Sequence, residues 1–186
     1  MDDLFDSALQ RLRNGDFSLL APLFAPGTGA SKRSRIVEWY ERGLFSDYPA
    51  EAAEAQTCAC FLGERQVVEY LIDQGLDPSG GSLSGMNAVH VAASRGNVDV
   101  LRILLRHGVP LEVRNMYGGT VLGQTVWSAV NQPMPGQREA IEELLRAGAD
   151  IREVEFPTGD ADVDRILSRA RTARQPVVLP PCPPDP

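Results

Sequence analysis

Two histidines, three cysteines and 25 acidic residues are the groups of this 186-residue chain that could do chemistry. A zinc site needs Cys, His or carboxylate ligands at short, regular spacing, and neither His90 nor His107 has such neighbours. Cys58 and Cys60 are one residue apart on a predicted helix, where their side chains diverge and cannot readily pair. An odd cysteine count fits a reducing compartment, and Cys60 reads as small-residue packing. The run Gly27-Thr28-Gly29-Ala30-Ser31-Lys32 is glycine-rich like a phosphate loop. It lacks the Gly-Lys-Ser/Thr ending and follows a helix where a strand is needed. No Gly-x-Ser-x-Gly turn presents a nucleophile. The acids are scattered over predicted helix surfaces, so a carboxylate site in a groove is the one enzymatic alternative. The expectation is therefore no catalytic residue, no cofactor and no metal.

Charge and hydropathy narrow the partners. A net charge of −7 argues against nucleic acid, because phosphate contacts need Lys/Arg-rich faces. The basic run Lys32-Arg33-Ser34-Arg35 is short and offset by Glu38 and Glu41. No segment reaches the roughly 18 apolar residues of a membrane span. The acidic N-terminus does not read as a signal sequence, so cytoplasmic residence is the default expectation. With 43% hydrophobic residues the chain can bury the core of one domain.

The elements that position these groups repeat. Gly15/Gly27, Gly63/Gly75, Gly96/Gly108 and Gly136/Gly148 are glycine pairs at one separation. Each encloses two apolar doublets, of which Val100-Leu101 with Leu104-Leu105 is the clearest. That spacing puts four side chains on one face of a two-turn helix, closed by a glycine free to turn left-handed. A recurring helix with its terminator means a stack of repeats.

The opening glycines lie 48, 33 and 40 residues apart, and the middle step matches the period of about 33 of ankyrin repeats. Residues Met86-Asn87-Ala88-Val89-His90-Val91-Ala92-Ala93-Ser94-Arg95-Gly96-Asn97 resemble that family's T-P-L-H-x-A-A-x-x-G-H pattern, with Asn87 for Thr and Ala88 for Pro. Arg114-Asn115-Met116-Tyr117-Gly118-Gly119-Thr120 resembles its R-D-x-x-G-x-T hairpin, with Asn115 for Asp. The physics agrees: Ala92-Ala93 allows close helix packing, His90 can bond across the hairpin through both ring nitrogens, and Gly118-Gly119 suits a hairpin tip.

The resemblance implies an all-α, ankyrin-like helical solenoid of about four helix pairs with hairpin-like loops. The expected units span about 4–27, 51–80, 81–113 and 114–151, in a single domain over 1–174. The long first step predicts an inserted helix at 33–42, on which one of Trp39 and Tyr40 is buried. The 40-residue step predicts an enlarged loop around 131–137, where Pro133 and Pro135 exclude a regular helix. Residues 158–173 read as a terminal cap started by Thr158 or Asp160, which makes the domain self-standing. Residues 175–186 read as a disordered proline-rich tail.

The implied function is a non-catalytic protein–protein interaction module, in an adaptor, inhibitor or effector-like role, with a protein partner and a monomeric chain. The alternative is a structural or immunity-type subunit of an obligate oligomer. In proteins of this kind partners meet the hairpin tips and the first helix of each repeat. Carried over by register, those positions are Met86, Val91, Asn115, Met116, Tyr117, Gln124 and Trp127. Phe61 and Trp127 also suit gaps between helices, so for both the core reading stays open.

Overall fold

A computed structural model describes residues 3–27 and 32–173; the expected tail at 175–186 lies outside them. Every regular element among the described residues is helical. Helix α1 (Asp3–Asn14) is followed by a 3₁₀ turn (Phe17–Leu20) that runs into the short α2 (Ala21–Phe24). Then come α3 (Arg35–Glu41), α4 (Pro49–Leu62) and α5 (Arg65–Asp73). The pairs α6 (Ala88–Ser94) with α7 (Val98–Arg106) and α8 (Val121–Asn131) with α9 (Gln137–Arg146) follow. A 3₁₀ turn (Ile151–Glu153) and α10 (Ala161–Ala173) end the described chain.

First helices stack on first helices and second on second: α4 on α6 on α8, and α5 on α7 on α9. The apolar doublets of α5, α7 and α9 supply the buried Val67, Val68, Val100, Leu101, Leu104, Ala140, Ile141 and Leu144. The first helices meet through small side chains: Ala59, Ala92 and Ala93 have no exposed surface. Helix α3 packs on α2 and α5. It buries Trp39 edge-on to Phe5 at 5.1 Å, while Tyr40 stays half-buried against Tyr70. The α3 cap is Ser34, whose hydroxyl accepts from the Val37 N–H. Asp160 caps α10 by accepting from the Asp162 and Val163 N–H groups.

Two expectations are corrected. The second helix of the first unit is no regular two-turn helix, because Pro22 brings no N–H to an α-helical ladder. The extra residues of the third step also lengthen a helix: α8 has 11 residues where α6 has 7, and the prolines occupy the turn beyond it.

Two units are tied to the one before them at the residue after the opening glycine. The Asn97 side-chain amide donates to the carbonyls of Cys60 (2.8 Å) and Phe61 (2.9 Å), at the C-terminal end of α4. Gln137, one repeat on, donates to the Ser94 carbonyl at the end of α6 (2.6 Å) and accepts from the Met134 N–H (2.7 Å). Helix ends leave carbonyls without partners, and the next unit supplies the donor. The glycines let the backbones approach: a Cβ on Gly96 would overlap the Pro135 carbonyl oxygen, and one on Gly136 the Gly96 carbonyl oxygen.

The loop after α5 is held by a buried carboxylate. Glu54 on α4 accepts from the N–H groups of Leu83 (3.1 Å) and Ser84 (3.3 Å). Burial raises its carboxyl above the ordinary Glu value, and hydrogen bonds from Ser84 and Leu83 oppose the rise.

Three outcomes are expected. Gly96→Ala meets both a positive φ and backbone atoms, so it costs about 3 kcal/mol in urea unfolding. Gly108→Ala, with a positive φ but open space around it, costs only about 1 kcal/mol. For Glu54, a folded-state pKa above the unfolded one means a contribution present at low pH and lost as pH rises through the raised value. Glu54→Gln removes that dependence, so wild type loses stability relative to the variant as pH rises above the ordinary Glu value of 4.5.

Candidate interaction face

Asn115 shapes the tip of the hairpin that joins α7 to α8. Its Oδ1 accepts from the N–H groups of Tyr117 and Gly119, both at 3.0 Å. Its Nδ2 donates to Gln124 Oε1 on α8 (3.0 Å), and Gln124 donates onward to Ser128 Oγ (3.2 Å). The tip also leans on the previous loop, where the Met116 N–H donates to the Gly85 carbonyl at 2.9 Å. Arg114 braces the far side through the Gly118 carbonyl and Glu153, both at 2.8 Å. This bonding projects Met116 and Tyr117 outward, 66% and 79% exposed.

The structure sorts the positions carried over by register into two groups. Met116, Tyr117 and Trp127 (52% exposed) are large, apolar and at the surface, and Gln124 is half-buried beside them. Val91 is 1% exposed, because α6 is flanked on both sides by α4 and α8 and the position faces that packing. Asn115 is buried and spends its polar atoms inside the hairpin. Neither offers surface to a partner. Met86 is half-buried against the core. Phe61, one repeat before Ser94, is also half-buried, edge-on to Phe17 at 5.5 Å and beneath the Arg95 guanidinium at 4.3 Å. Leu83 is 51% exposed on the neighbouring loop. Its exposure follows from Glu54 holding its backbone N–H.

The helix layer behind these tips exposes almost no charge. Helices α6 and α8 contain no acidic or basic residue besides His90, and the two acids of α4, Glu51 and Glu54, are buried. The second-helix layer is different. There Arg102 of α7 bridges to Glu139 and Glu143 of α9, each at 2.7 Å, and Arg65 pairs with Glu69 at 3.1 Å. A surface of exposed apolar side chains on a charge-free layer has low desolvation cost when covered.

Other sites have weaker chemistry. A cleft of about 200 Å³ between α2, α3 and α5 is floored by Phe24, Val37 and Val67 and rimmed by Lys32, Glu64 and Tyr70. Burial raises the Glu64 carboxyl there. A shallower cleft of about 430 Å³ runs past Gly96 and Gly136 to Arg102, whose guanidinium is already engaged. Burial pushes the thiols of Cys58 and Cys60 far up, so neither is a ready thiolate. Among the described residues no cluster of three or more His, Cys, Asp or Glu could hold a metal, and no helix is long and apolar enough to cross a membrane.

Comparison with known proteins places this geometry. The chain is 38% identical over 84 residues to Protein PhlB of Serratia liquefaciens, a match covering 45% of this chain and 34% of that protein. It is 32% identical over 80 residues to Potassium channel AKT2/3 of Arabidopsis thaliana, covering 43% of this chain and 10% of the channel. The matched stretch is thus about a third of the first relative and a tenth of the second. Residues 52–154 match the family model described as ankyrin repeats, three copies. With that match spanning more than half of its length, and with helix pairs stacked first on first and second on second, the chain belongs to the ankyrin-repeat family.

Proposed function

We propose that this protein works as a non-catalytic binding module whose partner is another protein, held by the hairpin tips and the first-helix layer. Ankyrin repeats indicate a protein–protein interaction module; the adaptor, inhibitor or effector-like role and the position of the face are this proposal's own. One observation carries it. Leu83, Met116, Tyr117 and Trp127 are all exposed on or beside helices α4, α6 and α8, none of which exposes an acid. Hydrogen bonds link the Met116 backbone to the Leu83 loop and the Tyr117 turn to α8 through Asn115 and Gln124. Trp and Tyr are enriched among the residues that dominate binding energy, and here both stand on bonded supports.

The expected outcome is measured by affinity capture from the native lysate. Wild type is compared with Met116→Ala/Tyr117→Ala/Trp127→Ala and with Glu69→Ala on the second-helix layer, each shown folded by circular dichroism. The triple variant loses the enriched protein, and an affinity then measured with that purified protein falls about 30-fold or more. Glu69→Ala retains binding. Equal capture by all three places the binding surface elsewhere. Sedimentation over a concentration series separates the remaining case: a wild-type dimer that the triple variant converts to monomer assigns the face to self-association.

A further inference from the structure

His90 sits 1% exposed at the junction of two helix pairs, between oxygens that can only accept. Its backbone N–H donates to Asn87 Oδ1 at 3.2 Å, which caps α6. Its ring Nδ1 lies 2.8 Å from that same Oδ1, and its ring Nε2 lies 3.2 Å from the Gly119 carbonyl oxygen in the 115–119 hairpin. A neutral imidazole has one N–H, so it can serve only one of the two oxygens. Turning the Asn87 amide over offers an NH₂ to Nδ1. It also sets that NH₂ against the His90 backbone N–H and removes the cap. A hydroxyl at position 87 has no such conflict, since it accepts from the backbone and donates to the ring. Thr120 occupies the matching cap of α8, where its hydroxyl accepts from the Gly123 N–H at 3.2 Å.

We propose that Asn87 makes His90 a proton-sensitive joint between neighbouring repeats: the ring completes its bonds to both the α6 cap and the 115–119 hairpin only as imidazolium. No charged side chain intrudes. On α4, Glu54 is turned to Leu83 and Ser84, and the Cys58 thiol stays protonated. On α7, Arg102 is held by Glu139 and Glu143 of α9. The other α9 charges pair away from the ring, Arg138 with Asp160 and Glu142 with Arg146. Helix α8 carries no charge, and Arg114 grips the Gly118 carbonyl and Glu153 on the hairpin. Burial pulls the His90 titration below 6.5 while the Gly119 carbonyl pushes it up. The joint therefore responds on the acid side of neutrality. Because the folded value lies below the unfolded one, global stability falls across that window even as the local bonds are completed. The hairpin carries Met116 and Tyr117. That the joint thereby reaches a binding face rests on the proposed function, whereas its titration does not.

The test is nuclear magnetic resonance titration of the whole chain, with His107 as internal reference, comparing wild type with Asn87→Thr. Asn87→Thr lets the neutral ring bond on both sides, so the His90 pKa falls by about one unit. The variant is then more stable than wild type at pH 8, and by linkage this advantage shrinks by pH 5. Asn87→Ser supplies the same hydroxyl and repeats the measurement if the threonine variant folds poorly. A His90 pKa unchanged in both variants, or a stability difference independent of pH, overturns the proposal.

Discussion

A helix pair of this kind cannot satisfy itself. Its second helix presents one apolar stripe, and its first helix ends in carbonyls with no partner; the next pair supplies both. Asn97 and Gln137 each donate side-chain amide protons to the end of the preceding first helix, and at the Gln137 junction Gly96 and Gly136 let the backbones approach. Burial of the apolar doublets and closure of the polar ends are thus one event, and stability is shared between neighbours rather than held within a unit.

That coupling decides what is left for the surface. Side-by-side stacking of first helices consumes positions such as Val91, Cys58 and Ala93, and cross-links between the second helices consume much of the charge. Beside these helices, the loops carrying Leu83, Met116 and Tyr117 and the outward Trp127 of α8 stay uncovered. The loops are held by side-chain hydrogen bonds. Glu54 holds the backbone of one, and Asn115 folds the next around its own amide. Side chains at such tips are presented without further ordering, which lowers the entropy cost of binding.

Glu54 and His90 are related cases. Each is a buried titratable group that bonds the backbone of a loop rather than another charge, and burial moves each away from its ordinary value toward neutrality of the group. Both lie under the loops that carry Leu83, Met116 and Tyr117.

The glycine spacing and apolar doublets made the stacked helix pairs α4–α5, α6–α7 and α8–α9 legible, because their period of three to four residues reflects local geometry; they misread the first unit, where Pro22 breaks the second helix. The inserted helix near 33–42, the Asp160 start of α10 and the hairpin at 115–119 were legible for the same reason; that Ser34 caps the inserted helix was a finding of the structure. Exposure was not. Val91, Gln124 and Trp127 were all drawn from first-helix positions expected to face a partner, yet α4 and α8 bury Val91 while Trp127 stands clear. Nor could spacing show that Asn115 turns inward, that Leu83 turns outward, or that Asn87 Oδ1 meets the His90 ring. Periodicity along one chain determines which faces are apolar. Only the packing of units distant in sequence decides which of those faces are covered and which polar atoms meet.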